Sequence, residues 1–313
     1  MADGANSVVR VDALSPAEMA ERCEKAGVSK ANLDALSTLG LAILAGAFIA
    51  LGAIFMTTVT TGAAALPFGI ARLLGGVVFS LGLILVVMAG AELFTGNNLI
   101  VMACANRRVS LGKLLRNWGL VYLGNLIGSL AMAVLVFWSR QYTFANGALG
   151  ANALAIANAK TGLVFGQALA LGVLCNMLVC LAVWLCYSAR SAADKILAII
   201  FPVTAFVAAG FEHSVANMYL IPIGLLIKHF DPAFVSQAGV SVANLTVGNM
   251  LLANLLPVTL GNVIGGAGLV GLVYWSIYLR PKQAKEAARA LPVRDEEREV
   301  LHPAFDLATQ AER

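Results

Sequence analysis

The stretch FVAAGFEHSVANMYLIP, Phe206–Pro222, decides how the chain is read, because it sets an acid and a base, Glu212 and His213, inside a long apolar run. The run extends from Ile196 to Ile227. As one α-helix it would rise about 48 Å, against a bilayer hydrocarbon core of about 30 Å. It therefore breaks, and Gly210-Phe211-Glu212-His213 is where the residues permit it. Titratable groups at bilayer depth are costly and usually face a cavity or a pathway. The bland reading is a buried polar pair that only pins helix packing. The length of the run and a second copy of the break favour a site.

The second copy is AGAELFTGNN, Ala89–Asn98. It interrupts an apolar run from Phe68 to about Ala105, which as one helix would rise about 55 Å. Irregular backbone at this depth is tolerated only where it is buried in protein or lines a cavity.

The whole chain fits this setting. It is 59% hydrophobic and 12% charged, with mean hydropathy +0.83. A soluble domain carries about 25% charged residues. Helix-length apolar runs with small-residue interiors predict an all-α polytopic membrane protein rather than a barrel. The net charge of +4 is small and the bases cluster in loops, which excludes a nucleic-acid partner and reads as topology. The five cysteines show no CxxC and no metal spacing with histidine, so no metal and no cofactor are expected.

Six spans are predicted: 36–59, the broken run 68–105, 114–138, 163–187, the broken run 196–227, and 249–279. Residues 1–32 form a polar leader in which Ser15-Pro16-Ala17-Glu18 starts an amphipathic helix, with Gly27 as its stop. Residues 139–160 read as a polar loop, and 228–245 as another. Residues 281–313 are a charged tail, helical at first and frayed after Pro292. An even span count puts both termini on one side. Arg107, Arg108, Lys113, Arg116, Arg190, Lys195, Arg280 and Lys282 fall there too, which makes that side cytoplasmic and predicts a multi-pass protein of the cell (inner) membrane.

A repeat is legible. Shifted by 120 residues, Glu92 falls on Glu212, Asn97 on Asn217, and GAFIALG (46–52) on GQALALG (166–172). LGNLIG (123–128) matches LGNVIG (260–265) at an offset of 137. The channel domain, 33–280, thus divides into repeats of about 33–138 and 160–280. Each holds three spans, so the halves enter the bilayer in opposite orientations. An inverted repeat with one broken helix per half places a substrate site near the midplane.

AELFTGNN (91–98), GFEHSVANMYLIP (210–222), NWGLVYLGNLIGS (117–129) and PVTLGNVIGG (257–266) together resemble the formate/nitrite transporter family, most closely its formate channel branch. The resemblance covers roughly Ser15 to Arg280. It implies an aquaporin-like protomer, with helices two and five broken, in a homopentamer with an anion pore in each subunit. It also implies residue roles. His213 matches the central histidine, Thr95 its contact and Asn176 a polar partner. Leu93 and Phe94, with Phe79, Leu83 and Phe206, match apolar constrictions. Lys160 matches a vestibule base that attracts anions, and Glu212, Asn262 and Glu92 fit supporting positions. The helix from Ser15 resembles a segment that gates the cytoplasmic mouth.

The implied partners are formate or a related small anion, protons and the lipid bilayer. Nitrite and hydrosulfide are the alternatives within the fold. A neutral-solute channel fits less well, because its Asn-Pro-Ala breaks are absent. An enzyme is not expected: no nucleophile, metal set or phosphate loop accompanies Glu212-His213.

Overall fold

The computed structural model describes residues 13–283. The expected helical start of the tail falls mostly, and its fraying after Pro292 wholly, outside these residues. Six helices are long and apolar enough to cross a membrane. The chain opens with α1 (Pro16–Asn32), followed by the first span, α2 (Ala35–Thr60). The second span is α3 (Phe68–Ala89), and after a break the chain continues as α4 (Phe94–Ala105). Then come α5 (Leu111–Trp138), α6 (Ala148–Thr161) and α7 (Phe165–Ser188). The fifth span is α8 (Ala192–Ala209), continued after its break by α9 (Ser214–Phe230). A short α10 (Pro232–Ala238) leads to the long sixth span, α11 (Val247–Gln283), which contains wide π-helical turns.

Both breaks fall where the sequence places them, and for a local reason. Gly90 and Gly210 end their helices at φ +79° and +78°, a conformation that glycine adopts without the Cβ clash other residues suffer.

Three expectations need correction. Ser15 caps α1 in a capping box with Glu18, as read, but α1 runs through Gly27 to Asn32. Gly27 is not a stop. It lets the helix rest on the 100–103 segment, where a methyl group would come within 3.4 Å of Ile100 Cα. The segment 139–160 is not simply a loop, since α6 occupies most of it. The segment 228–245 likewise carries the end of α9 and all of α10.

The spans pack through small residues. A methyl group at Gly128 would fall 2.0 Å from Ile43 O, and one at Gly265 would fall 2.1 Å from Val173 O. These contacts draw α5 onto α2 and α11 onto α7. They also fix the register of the repeat: Ile43 pairs with Val173 at an offset of 130. The offset of 120 holds for the broken segments only, so the GAFIALG–GQALALG overlay is not the structural one. At an offset of 130 the first repeat's Gly46 corresponds to Asn176. Gly46 packs against the backbone of Asn125, and Asn176 donates to Asn262 O at 2.7 Å. The slip has a simple origin. Ten residues turn a helix by about 1000°, roughly 80° short of three full turns, so the two overlays present different faces, and it is the abundance of Gly and Ala in these helices that lets both match.

Candidate functional site

Each half carries a buried carboxylate at its break, held in the same way. In the first half, Lys30 Nζ lies 2.5 Å from Glu92 Oε1. Asn97 Nδ2 donates to Glu92 Oε2 (2.6 Å) and to Asn117 Oδ1 (3.0 Å), and Asn117 Nδ2 donates back to Lys30 O (3.3 Å). In the second half, Lys160 Nζ lies 2.7 Å from Glu212 Oε1. Asn217 Nδ2 donates to Glu212 Oε2 (2.7 Å) and to Asn254 Oδ1 (2.7 Å), and Asn254 Nδ2 donates to Lys160 O (3.0 Å). The two networks correspond residue for residue. A buried carboxylate is tolerable only when paired and hydrogen-bonded, and here every partner is supplied.

The loose ends of the broken helices are satisfied just as regularly. Asn125 Oδ1 accepts from Phe94 N (2.9 Å), while its Nδ2 donates to Ala42 O and Glu92 O. Asn262 Oδ1 accepts from Ser214 N (3.0 Å), while its Nδ2 donates to Gly172 O and Glu212 O. Each asparagine clamps a chain break to the neighbouring span, which is how unpaired backbone survives at this depth.

The symmetry fails at the centre. At the offset of 120, Leu93 stands in the first half where His213 stands in the second. His213 caps α9: Ala216 N donates to its Nδ1 at 3.0 Å. Because Nδ1 accepts, the neutral ring carries its proton on Nε2. Nε2 lies 2.9 Å from Thr95 Oγ1, so the ring donates to the threonine of the other break.

Two cavities approach this contact from opposite ends of α3. The first, about 760 Å³, reaches Arg72, Phe79, Lys160, Phe206, Glu212 and His213. The second, about 390 Å³, reaches Lys30, Leu83, Glu92, Leu93 and Lys195. Phe79 and Leu83 are one helical turn apart, so an apolar neck separates the cavities. Phe79 meets Phe206 edge-on at 5.9 Å, and Phe206 stacks on His213, also at 5.9 Å. Cys23, Gly27 and Lys30 of α1 wall the second cavity. Lys282 Nζ bonds Glu21 Oε1 at 2.7 Å, so α1 and the end of the sixth span meet at one face.

The expected site residues therefore divide. His213 and Thr95 touch, and Phe79, Leu83, Leu93 and Phe206 line the cavities beside them. Phe94 lines neither cavity: its ring packs edge-on against Trp118 and Tyr122. As the first residue of α4 it points oppositely enough from Leu93 to face α5 instead. Asn176 is buried outside both cavities, and its Nδ2 donates to Thr95 O (3.3 Å), Asn98 Oδ1 (2.8 Å) and Asn262 O. It holds Thr95 rather than facing the cavities. Lys160 lines the first cavity, but its charge is spent on Glu212. Asn262 and Glu92 are clamp and network members. Sequence reasoning missed Lys30, Asn117 and Asn254. The offsets of 130 and 137 would have found them, since Lys30 maps to Lys160 and Asn117 to Asn254.

The model of the family "Formate/nitrite transporter" matches residues 17–276. The formate channel FocA of Escherichia coli is 50% identical over 273 residues, covering 86% of this chain and 96% of that protein. FocA of Haemophilus influenzae is 43% identical over 264 residues, covering 83% and 93%. Among solved structures, a pentameric formate channel with formate bound matches with a TM-score of 0.74 at 48% identity, covering 78% of this chain and 98% of that one. An FNT family ion channel matches with a TM-score of 0.71 at 30% identity, covering 83% and 98%.

Proposed function

Because the chain belongs to the formate/nitrite transporter family, we propose that it is a channel for formate and similar small monovalent anions. The carrying observation is the His213–Thr95 contact, set in an apolar neck between two cavities with charged walls. Its relatives named as formate channels support the substrate, and the pentameric formate channel supports a homopentamer. The protein is multi-pass in the membrane. The loop bases support an inner-membrane setting with both termini cytoplasmic.

The neck sets the chemistry. A bare carboxylate crossing Phe and Leu side chains meets a desolvation penalty of several kcal/mol. Protonating it at neutral pH, from a pKa near 3.5, costs about 5 kcal/mol. The two costs are comparable, so a proton lent at the neck lowers the barrier. His213 is the group at that position that can hold such a proton: its neutral ring points Nε2–H at Thr95 Oγ1, the resting acceptor, and protonation of Nδ1 makes it an acid. An anion that replaces Thr95 as acceptor takes up this hydrogen bond and is partly neutralised by it. It leaves as the free acid only when the ring has first taken a second proton on Nδ1, in place of the Ala216 N–H, so that giving up the Nε2 proton returns a neutral imidazole. Glu212 and Glu92 hold the breaks in shape and stay paired.

The test is uptake into proteoliposomes of formate, nitrite and hydrosulfide, each at pH 5 and pH 7.5. The reading requires formate to lead, with rates that differ between the two pH values. Nitrite or hydrosulfide leading would keep the site and move the chain to another branch of the family.

A further inference from the structure

The first cavity contains two cations, and they are not equivalent. Lys160 is 2.7 Å from Glu212, and the two side chains are only 17% and 6% exposed. At contact distance the pair presents a dipole to the cavity rather than a charge. Arg72 is the other cation. It sits on α3 seven residues before Phe79, two turns further from the neck on the same face. No carboxylate pairs with it among the described residues.

Its partners are carbonyls. Arg72 Nε donates to Ala208 O at 2.9 Å and Nη2 to Val207 O at 2.9 Å. These belong to the last turn of α8, the half-helix that ends beside His213. A helix C-terminus carries about half a negative charge on its free carbonyls. Left bare, it would face every anion approaching the neck. Arg72 covers it, and its full charge leaves the spot net positive. Two of its five N–H donors are used, so the rest are available to water or an anion. Gly210 fits this arrangement twice over: it takes φ +78°, and a methyl group there would fall 2.8 Å from Arg72 Nη2. The device has no twin, for the position matching Arg72 at the offset of 120 is Ala192.

We propose that Arg72, by masking the α8 carbonyls and remaining unpaired with any carboxylate, is the charge that draws anions into the first cavity, and that Lys160 is not. This rests on the reading of the chain as an anion channel. The experiment measures initial formate uptake against concentration in proteoliposomes at fixed pH, in about 10 mM and about 300 mM potassium gluconate. Wild type is compared with Arg72→Gln, Arg72→Met and Arg72→Lys. Both neutral variants should raise KM by roughly 3- to 10-fold at low salt, with kcat changed less than about 2-fold. At high salt the KM difference should shrink below about 2-fold, because a charge exposed to the cavity is screened. Arg72→Lys should recover most of the low-salt KM even though it lacks the planar fork.

A wild-type KM in the neutral variants at both salts would overturn the proposal. So would a KM rise that salt does not change and Lys does not rescue, which would leave Arg72 a helix cap only. Wild-type vesicles that carry no formate would overturn the channel reading instead, and the same salt comparison would then be read with nitrite.

Discussion

His213 Nε2 stands 2.9 Å from Thr95 Oγ1, and this hydrogen bond joins the breaks of the two interrupted spans. It crosses the repeat. The carboxylate networks and the asparagine clamps at the breaks are built twice, whereas this contact pairs a residue whose counterpart is Leu93 with one whose counterpart is Val215. The asymmetry is what allows a symmetric scaffold to hold a single proton-bearing group between two cavities.

Replacing His213 with Phe fills the same volume and removes the proton. The variant should assemble and should lose acid-stimulated formate import by about tenfold or more. Import at pH 5 equal to wild type would remove His213 from the mechanism.

Thr95→Val keeps the shape of the side chain but leaves the buried Nε2–H without an acceptor. Such a loss destabilises by about 1–3 kcal/mol. Thermal unfolding in detergent should show it, and Thr95→Ser should restore the wild-type value. A Val variant as stable as wild type would mean that water or another group takes the proton.

Lys160→Ala strands Glu212 in a buried position. Breaking one side of such a pair costs about 3–5 kcal/mol. The dominant effect should therefore be lost stability of the assembled protein, not a salt-sensitive change in uptake. The double replacement Lys160→Met with Glu212→Gln should be more stable than Lys160→Ala alone. Lys30→Ala should lose less, because Lys30 is 30% exposed against 17% for Lys160 and water can reach its abandoned partner.

Gly128 and Gly40 make a paired control. A methyl group at Gly128 would fall 2.0 Å from Ile43 O, whereas one at Gly40 meets nothing within 4 Å. Gly128→Ala should destabilise by about 1–3 kcal/mol or more by forcing α5 off α2. Gly40→Ala should be neutral or stabilising by up to about 1 kcal/mol. Equal stabilities in a melting assay would show that the spans do not rely on this contact.

Much of this protein was determined by the sequence alone. Apolar run length set the six spans, since bilayer thickness leaves few solutions. Gly90 and Gly210 placed the breaks, because a positive φ is a local demand. The central pair His213 and Thr95 was legible through the family resemblance, and so was the apolar neck. What only the tertiary structure decided was how the helices are rotated and which distant residue each polar group meets. The offset of 130 came from Ile43 and Val173 packing against Gly128 and Gly265, a choice that the many Gly and Ala residues of these helices leave open in the sequence. Phe94 turned toward Trp118 and Tyr122, Lys160 found Glu212, and Arg72 reached the end of α8 from another span. Hydropathy acts on each segment by itself, whereas the partner of a buried charge is fixed only when separate helices close around it.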